Sequence, residues 1–532
     1  MLKSSRKLNS TRLSAAGVAA IVVLTVAGCQ PTSTDGQNNS QTQTVAKQNA
    51  AAHWLTADTF LLNTVNGIEK AELVIQQYGE EPSVITLESV DTPTTLSAKF
   101  PHLSQFSAYR LPIEIDVKQA LKGNIKLRQY KAGTLLIDSQ VQTYGVLDAV
   151  YTEGANDADE VNDYGATVTE SAVRFKVWSP TATKVEVLLF DKNKSPIDNF
   201  EMSENPATGA WSLTTTKVGA FDYYQYKIEV FHPTTGNFET VITTDPYSLS
   251  LSTDSKYSQI IDLNDSKTFP EDWLSHKVPT VDAPEDLILY ETHIRDFSAA
   301  DTALSNEEFR GKYKAFSETD SHGMKHLLKL RDAGLNTVHL LPTYDLSTID
   351  ENQGAAIDIN DKVAKACESF DLSYCSNQLL TQKTIKELLQ SFDPATREAG
   401  DLMEVIRNKD NYNWGYDPYH YTVPEGSYAV NPEGEARIIE FREMVTSLHN
   451  QGFRVIMDVV YNHTFASGLS EKSVLDKVVP NYYHRYHPIT GAMERSTCCD
   501  NSATEHKMME KLMVDSLVVW ARDYKIDGFR FD

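Results

Sequence analysis

From about residue 285 the chain alternates short apolar strands with amphipathic helices, and no other feature restricts its fold as much. Leu287 to Tyr290 is predicted as a first strand, Thr337 to Leu341 as a second and Phe453 to Val460 as a third. The run Ile526-Asp527-Gly528-Phe529-Arg530-Phe531-Asp532 is predicted as a fourth. Between them, Ser321 to Ala333, Gly434 to Asn450 and Glu505 to Tyr524 carry apolar residues at helical spacing. Strand–helix repeats of this kind force parallel pairing, and the loop sizes favour a (β/α) barrel over an open sheet. Four strands amount to about half of such a barrel, so 285–532 is expected to be the first half of a (β/α)8 TIM barrel.

Upstream the period changes. Residues 52–152 alternate apolar and polar in short bursts, as in Pro112-Ile113-Glu114-Ile115-Asp116-Val117, and predict a β-sandwich. An acidic linker, Glu153 to Asp163, follows; its aspartates lack the Glu offset of a calcium loop and read as solvated. A second β-sandwich is expected over 164–268, where Val173 to Pro180, Lys184 to Phe190 and Tyr223 to Val230 alternate with period two. Trp178 is expected in its core, while Tyr224 and Tyr226 are candidates for stacking on sugars. A 532-residue chain accommodates this multidomain plan.

The formal charge of -24 makes nucleic acid a poor partner, because an acidic surface repels phosphate backbones. No Gly-rich phosphate loop opens a helix, and no His/Cys set has zinc spacing. At the N-terminus Lys3, Arg6, Lys7 and Arg12 precede an apolar run from Leu13 to Gly28, too short for an ordinary spanning helix. The run ends Val26-Ala27-Gly28-Cys29 and resembles a bacterial lipoprotein signal over 1–29, with Cys29 as the lipidated residue and membrane anchor. An ordinary secretory signal or a short anchor shares the basic and apolar parts. Residues 30–51 read as a flexible tether, and Gln30 resembles sorting to the outer membrane or cell surface. Cys367 and Cys375 lie in one loop-like insert and could pair after export; Cys498 and Cys499 are adjacent and read as thiols or small core residues.

Three segments carry chemistry. In the last strand Arg530 and Asp532 leave on one face, and the cation would hold the carboxylate ionised, as a nucleophile requires. The same two residues read equally well as a structural ion pair. The run Asp458-Val459-Val460-Tyr461-Asn462-His463-Thr464 passes from a buried strand straight into polar groups. Tyr412-Asn413-Trp414-Gly415-Tyr416-Asp417-Pro418 sits in the insert after the second strand.

Together, and in this order, the three segments resemble type I pullulanases, debranching enzymes of the α-amylase superfamily (glycoside hydrolase family 13). Residues 165–265, with Val177-Trp178-Ser179-Pro180 and Thr244-Asp245-Pro246-Tyr247, resemble a starch-binding-type module; the segment from Ala52-His53-Trp54 resembles a pullulanase-associated β domain. The resemblance implies retaining hydrolysis of α-1,6 branch linkages in pullulan, glycogen and starch dextrins. It implies Asp532 as nucleophile, kept ionised by Arg530, with His463, Tyr416, Asp417 and Trp414 as substrate-binding residues. Asp458 and Asn462 would be structural near the site, Asn462 matching a calcium ligand of some relatives. Trp414 and Tyr461 also read as packing residues. No cofactor is implied for the chemistry, with calcium only as a structural ion.

A retaining glycosidase needs a second carboxyl group about 5–5.5 Å from the nucleophile, and the family places that Glu after the next strand. The expectation is therefore an N-terminal portion, inactive by itself. A chain that only binds α-glucan is the alternative, as is isoamylase or branching activity on the same frame; the Tyr412–Pro418 run speaks against the latter pair.

Overall fold

The computed structural model describes residues 49–64, 67–352, 356–496 and 499–532. The expected signal at 1–29 with Cys29, the tether up to residue 48, and Cys498 lie outside the described residues.

Seven strands between Asn49 and Gln142 form a closed barrel rather than the expected sandwich. Closure comes from the first strand, Asn49–Trp54. It pairs antiparallel with Thr59–Leu62 and parallel with Thr134–Gln142, setting Ala52 opposite Val141 and His53 opposite Gln142. Alternation in a sequence shows which side chains point inward, but two edges meeting across about 90 residues leave no local trace. Trp54, Phe60, Leu62 and Leu73 fill the interior, with Trp54 stacked on Phe60 at 4.9 Å.

The second β unit is built from two sheets. Gly165–Val168, Val173–Trp178, Ser203–Asn205 and Ala210–Thr215 make one; Ala182–Phe190, Pro196–Glu201, Tyr223–His232, Asn237–Thr243 and Ser258–Gln259 make the other. Trp178 is buried as expected, its indole N–H donating to the Thr208 carbonyl at 2.9 Å. Tyr224 and Tyr226 are not sugar platforms. Both are buried, and both hydroxyls donate to Asp245 Oδ2, at 2.9 and 3.0 Å. Burial pushes both hydroxyls well above the usual tyrosine range.

The third unit contains a parallel sheet in sequence order: β1 (Leu289–Thr292), β2 (Thr337–Leu340), β3 (Arg454–Val459) and β4 (Gly528–Phe531). Helices α1 (His322–Asp332), α2 (Glu435–Asn450) and α3 (Lys507–Asp523) connect them. The α1 start is capped by Ser321, whose hydroxyl accepts from the Met324 amide at 3.1 Å, and Gly334 closes it at φ +114°. One side of α2 buries Ile438, Phe441, Val445 and Leu448, while α3 buries Met509, Leu512 and Trp520. The Trp520 N–H donates to the Tyr421 carbonyl at 2.9 Å.

The insert between β2 and α2 is more than a polar loop. Four short helices, Val363–Ser369, Gln378–Thr381, Ile385–Gln390 and Glu398–Ile406, enclose a separate apolar core of Ile357, Val363, Ala366, Ile385, Leu388, Leu402 and Ile406. Cys367 and Cys375 are joined by a disulfide there. Helices this short have little intrinsic stability in water, so their periodicity is faint and packing against one another holds them.

Candidate active site

Parallel pairing sets Asp458 of β3 directly opposite Arg530 of β4. With period two, Asp532 then leaves on the Arg530 face. Nη1 of Arg530 lies 3.1 Å from both carboxylate oxygens of Asp458 and 2.8 Å from Oδ1 of Asp532. Two N–H bonds are thus divided over three oxygens. The bonds to Asp532 and then to Asp458 push the guanidinium's proton affinity further up, so its charge is permanent. The Asp532 amide donates to the Val459 carbonyl at 3.1 Å and continues the ladder past Phe531.

Asp458 has no exposed surface. Its Oδ2 also accepts from the Tyr416 hydroxyl at 2.7 Å. That hydroxyl is pushed up, first by burial and then by the hydrogen bond and charge of Asp458. Asp458 therefore joins the last strand to the Tyr412–Pro418 run.

That run is shaped by Gly415, at φ +94°. A Cβ there would stand 2.9 Å from both Cβ and the carbonyl oxygen of Pro342. Such a turn sends Tyr416 inward to Asp458 and leaves Trp414 outside, 60% exposed, with its indole N–H donating to the Tyr412 hydroxyl. Trp414 is consequently not a packing residue. Asp417 is buried and accepts from the Thr348 amide and from Asn413 Nδ2, both at 2.8 Å. Burial pushes its carboxyl upward.

His463 is buried at the end of the segment after β3, with Nε2 2.8 Å from the Tyr416 carbonyl oxygen. A carbonyl only accepts, so this nitrogen carries the proton. Asn462 is exposed and donates to the main-chain oxygen of Asp532 at 3.4 Å. Tyr461 is buried and donates to Ser516 Oγ at 2.9 Å, which is a packing role. Asp458, Arg530, Asp532, Tyr416 and His463 thus form one connected cluster, with Asp417 and Trp414 on the adjoining turn. The disulfide between Cys367 and Cys375 belongs to the insert and not to the cluster.

The sequence alone assigned no role to Asp527, Asn413 or Thr348. Asp527 Oδ2 accepts from the Val455 amide (2.8 Å) and pairs with His449 Nε2 (2.9 Å), fixing where β4 enters the sheet. Only its place just before the strand glycine could have drawn attention. Thr348 lies 65 positions or so before Asn413, and nothing local connects them. Among the described residues, two groups bring possible cation ligands together: Glu291, His339 and Asp458, and Asp345, Glu351 and Glu425. The second does not fit an ion, because the Arg437 guanidinium already sits in it, 2.8 Å from Glu351. In the first, Asp458 is already engaged by a cation.

Two domain families match the chain: the Pullulanase N2 domain over residues 49–149 and carbohydrate-binding module 48 (Isoamylase N-terminal domain) over 163–248. Pullulanase of Klebsiella pneumoniae is 40% identical over 512 residues, covering 91% of this chain and 46% of the relative. The crystal structure of Klebsiella pneumoniae pullulanase complexed with maltotriose superimposes with a TM-score of 0.86 at 38% identity, over 91% of this chain and 48% of that one. Over nine tenths of its length the chain is thus similar to type I pullulanases. Chloroplastic pullulanase 1 of Arabidopsis thaliana is 38% identical over 84% of this chain and 43% of its own length. The chain spans about half the length of the curated pullulanases it matches.

Proposed function

We propose that this protein hydrolyses α-1,6-glucosidic branch linkages of pullulan, glycogen and starch dextrins with retention, and that the described cluster is the nucleophile side of the site. The observation that carries the reading is the shared guanidinium: Arg530 holds Asp532 at 2.8 Å while anchored on the fully buried Asp458. Asp532 Oδ would form a bond to the anomeric carbon as the glycosidic C–O bond breaks, and water would later release the sugar. The leaving oxygen takes its proton from an acid that has no assigned position in this chain, so the activity is proposed for the whole protein. His463 and Tyr416 would line the reacting ring, with Asp417 and Trp414 beside it. That a related pullulanase is complexed with maltotriose supports an α-glucan as partner.

In this reading β1 to β4 are the first half of a (β/α)8 barrel; their parallel, sequential order is what supports it. The closed β barrel and the two-sheet unit would be the pullulanase-associated and starch-binding-type domains, at 52–152 and 164–268. Cys29 would carry lipid and hold the exported protein to a membrane, a reading that rests on the N-terminal sequence. The chemistry needs no cofactor; a calcium ion, where bound, would be structural.

The test is Asp532→Asn in the full-length protein, assayed by reducing-sugar release from pullulan. Turnover is expected to fall by about 10³-fold or more, with glycogen affinity kept. Undiminished debranching would remove Asp532 from its role.

A further inference from the structure

The segment Arg310-Gly311-Lys312 lies between β1 and α1, away from the catalytic cluster's contacts. Gly311 adopts φ +72°, and a Cβ there would come within 3.2 Å of Arg295 Cγ, so the turn brings three basic side chains together. They line a cavity of about 170 Å³ together with Ala299, Asn411, Ser427 and Tyr428. The lining contains three cations and no acid, in a chain where 73 acidic groups outnumber 49 basic ones.

Lys312 is only 8% exposed. An ammonium has three N–H bonds. Here one donates to the Ser427 carbonyl at 2.5 Å, and Lys312 forms no ion pair with a described carboxylate. The acids nearest it electrostatically, Glu440, Glu425 and Glu351, face elsewhere. Glu440 accepts from the Val430 and Asn431 amides, Glu425 from Leu346 and Ser427, and Glu351 from Arg437. Arg310 Nε donates to the Asp301 carbonyl at 3.0 Å. Arg295 stands 3.3 Å from Asp296 and 3.7 Å from Asp358, and Arg310 3.2 Å from the exposed Glu307.

A buried ammonium without a counter-ion is costly, and two forked guanidiniums beside it match a tetrahedral oxyanion. We propose that this cavity is a binding site for a small oxyanion of the phosphate class. Its occupant would tie Arg295, and through it Asp358 at the start of the insert, to Asn411 at the insert's end. Trp414 follows three residues later, so binding would brace the insert beside that exposed aromatic.

The experiment is calorimetric titration of the full-length protein with sodium phosphate at constant ionic strength, with glucose 6-phosphate and sodium chloride in parallel. Saturable one-site binding of phosphate is expected, with no chloride equivalent. Arg310→Gln and Lys312→Met should each weaken it about tenfold or more, the loss of one charge-assisted hydrogen bond. Glucose 6-phosphate binding as well as phosphate assigns the site to esterified phosphate; its exclusion assigns it to the free ion. No saturable heat, or binding unchanged in both variants, overturns the proposal. If circular dichroism shows that Lys312→Met does not fold, Arg310→Gln, on the cavity's solvent side, decides alone.

Discussion

Asp458 and Arg530 face each other across neighbouring parallel strands, and the arginine nitrogen that contacts both carboxylate oxygens of Asp458 at 3.1 Å also reaches Asp532 at 2.8 Å. A buried anion therefore aims a permanent cation at the proposed nucleophile. The aim depends on acceptors on both sides.

Asp458→Asn should upset that aim. It would turn an amide N–H₂ or a weaker acceptor toward Arg530 and loosen the Tyr416 hydroxyl. In the full-length enzyme kcat on pullulan is expected to fall about 10²-fold with KM little changed, since misplacement acts on the reacting geometry. Equal kcat for variant and parent would show that Asp458 does not position Arg530.

Gly415→Ala tests the turn. The residue would be strained at φ +94° and its methyl would press on Pro342. A loss of about 1–3 kcal/mol is expected in urea unfolding, with faster amide exchange through Tyr412–Asp417. A neutral result would mean that the run relaxes freely and does not hold Tyr416 on Asp458.

Trp414→Ala separates ligand contact from packing. With 60% of the side chain exposed, stability should be unchanged. Glycogen affinity in a retardation gel should weaken by about 0.5–1.5 kcal/mol, the range of one aromatic stacking contact. Lower stability with unaltered affinity would return Trp414 to a structural role.

His53 gives the pH dependence. Burial is the main cause that pushes its imidazole down to about 4, although Nε2 donates to the Pro488 carbonyl at 2.8 Å. A depressed value means that the unfolded state binds the proton first. Stability is therefore full above about pH 6.5 and is lost as pH falls toward 4, by up to about 3 kcal/mol. Urea midpoints between pH 7.5 and 4.5 should show this slope, and His53→Gln should flatten it. An unchanged slope in the variant would assign the acid sensitivity to other groups.

The parallel sheet was legible because each strand and helix is specified within a dozen residues or so. Phe453 to Val460 is an apolar run interrupted only by Arg454 and Asp458, and Ser321 and Gly334 mark the ends of α1. The insert was not legible, since its four helices are held by a core that no single one of them encodes. Tyr224 and Tyr226 illustrate the opposite error. Alternation placed both on one face, but only the folded chain supplies Asp245, 19 positions beyond Tyr226, as the acceptor that buries their hydroxyls.

For the candidate site, the residue types and their order along the chain came from the sequence alone: an arginine two before an aspartate, a strand running into Asn462 and His463, and an aromatic run around Gly415. Tertiary structure decided which of them touch. It placed Asp458 between Arg530 and Tyr416, turned Trp414 to solvent, and closed the first β domain into a barrel. The physical reason is range. Side-chain periodicity and turn chemistry act between near neighbours, whereas strand register and edge closure depend on groups brought together from 40 to 90 positions apart.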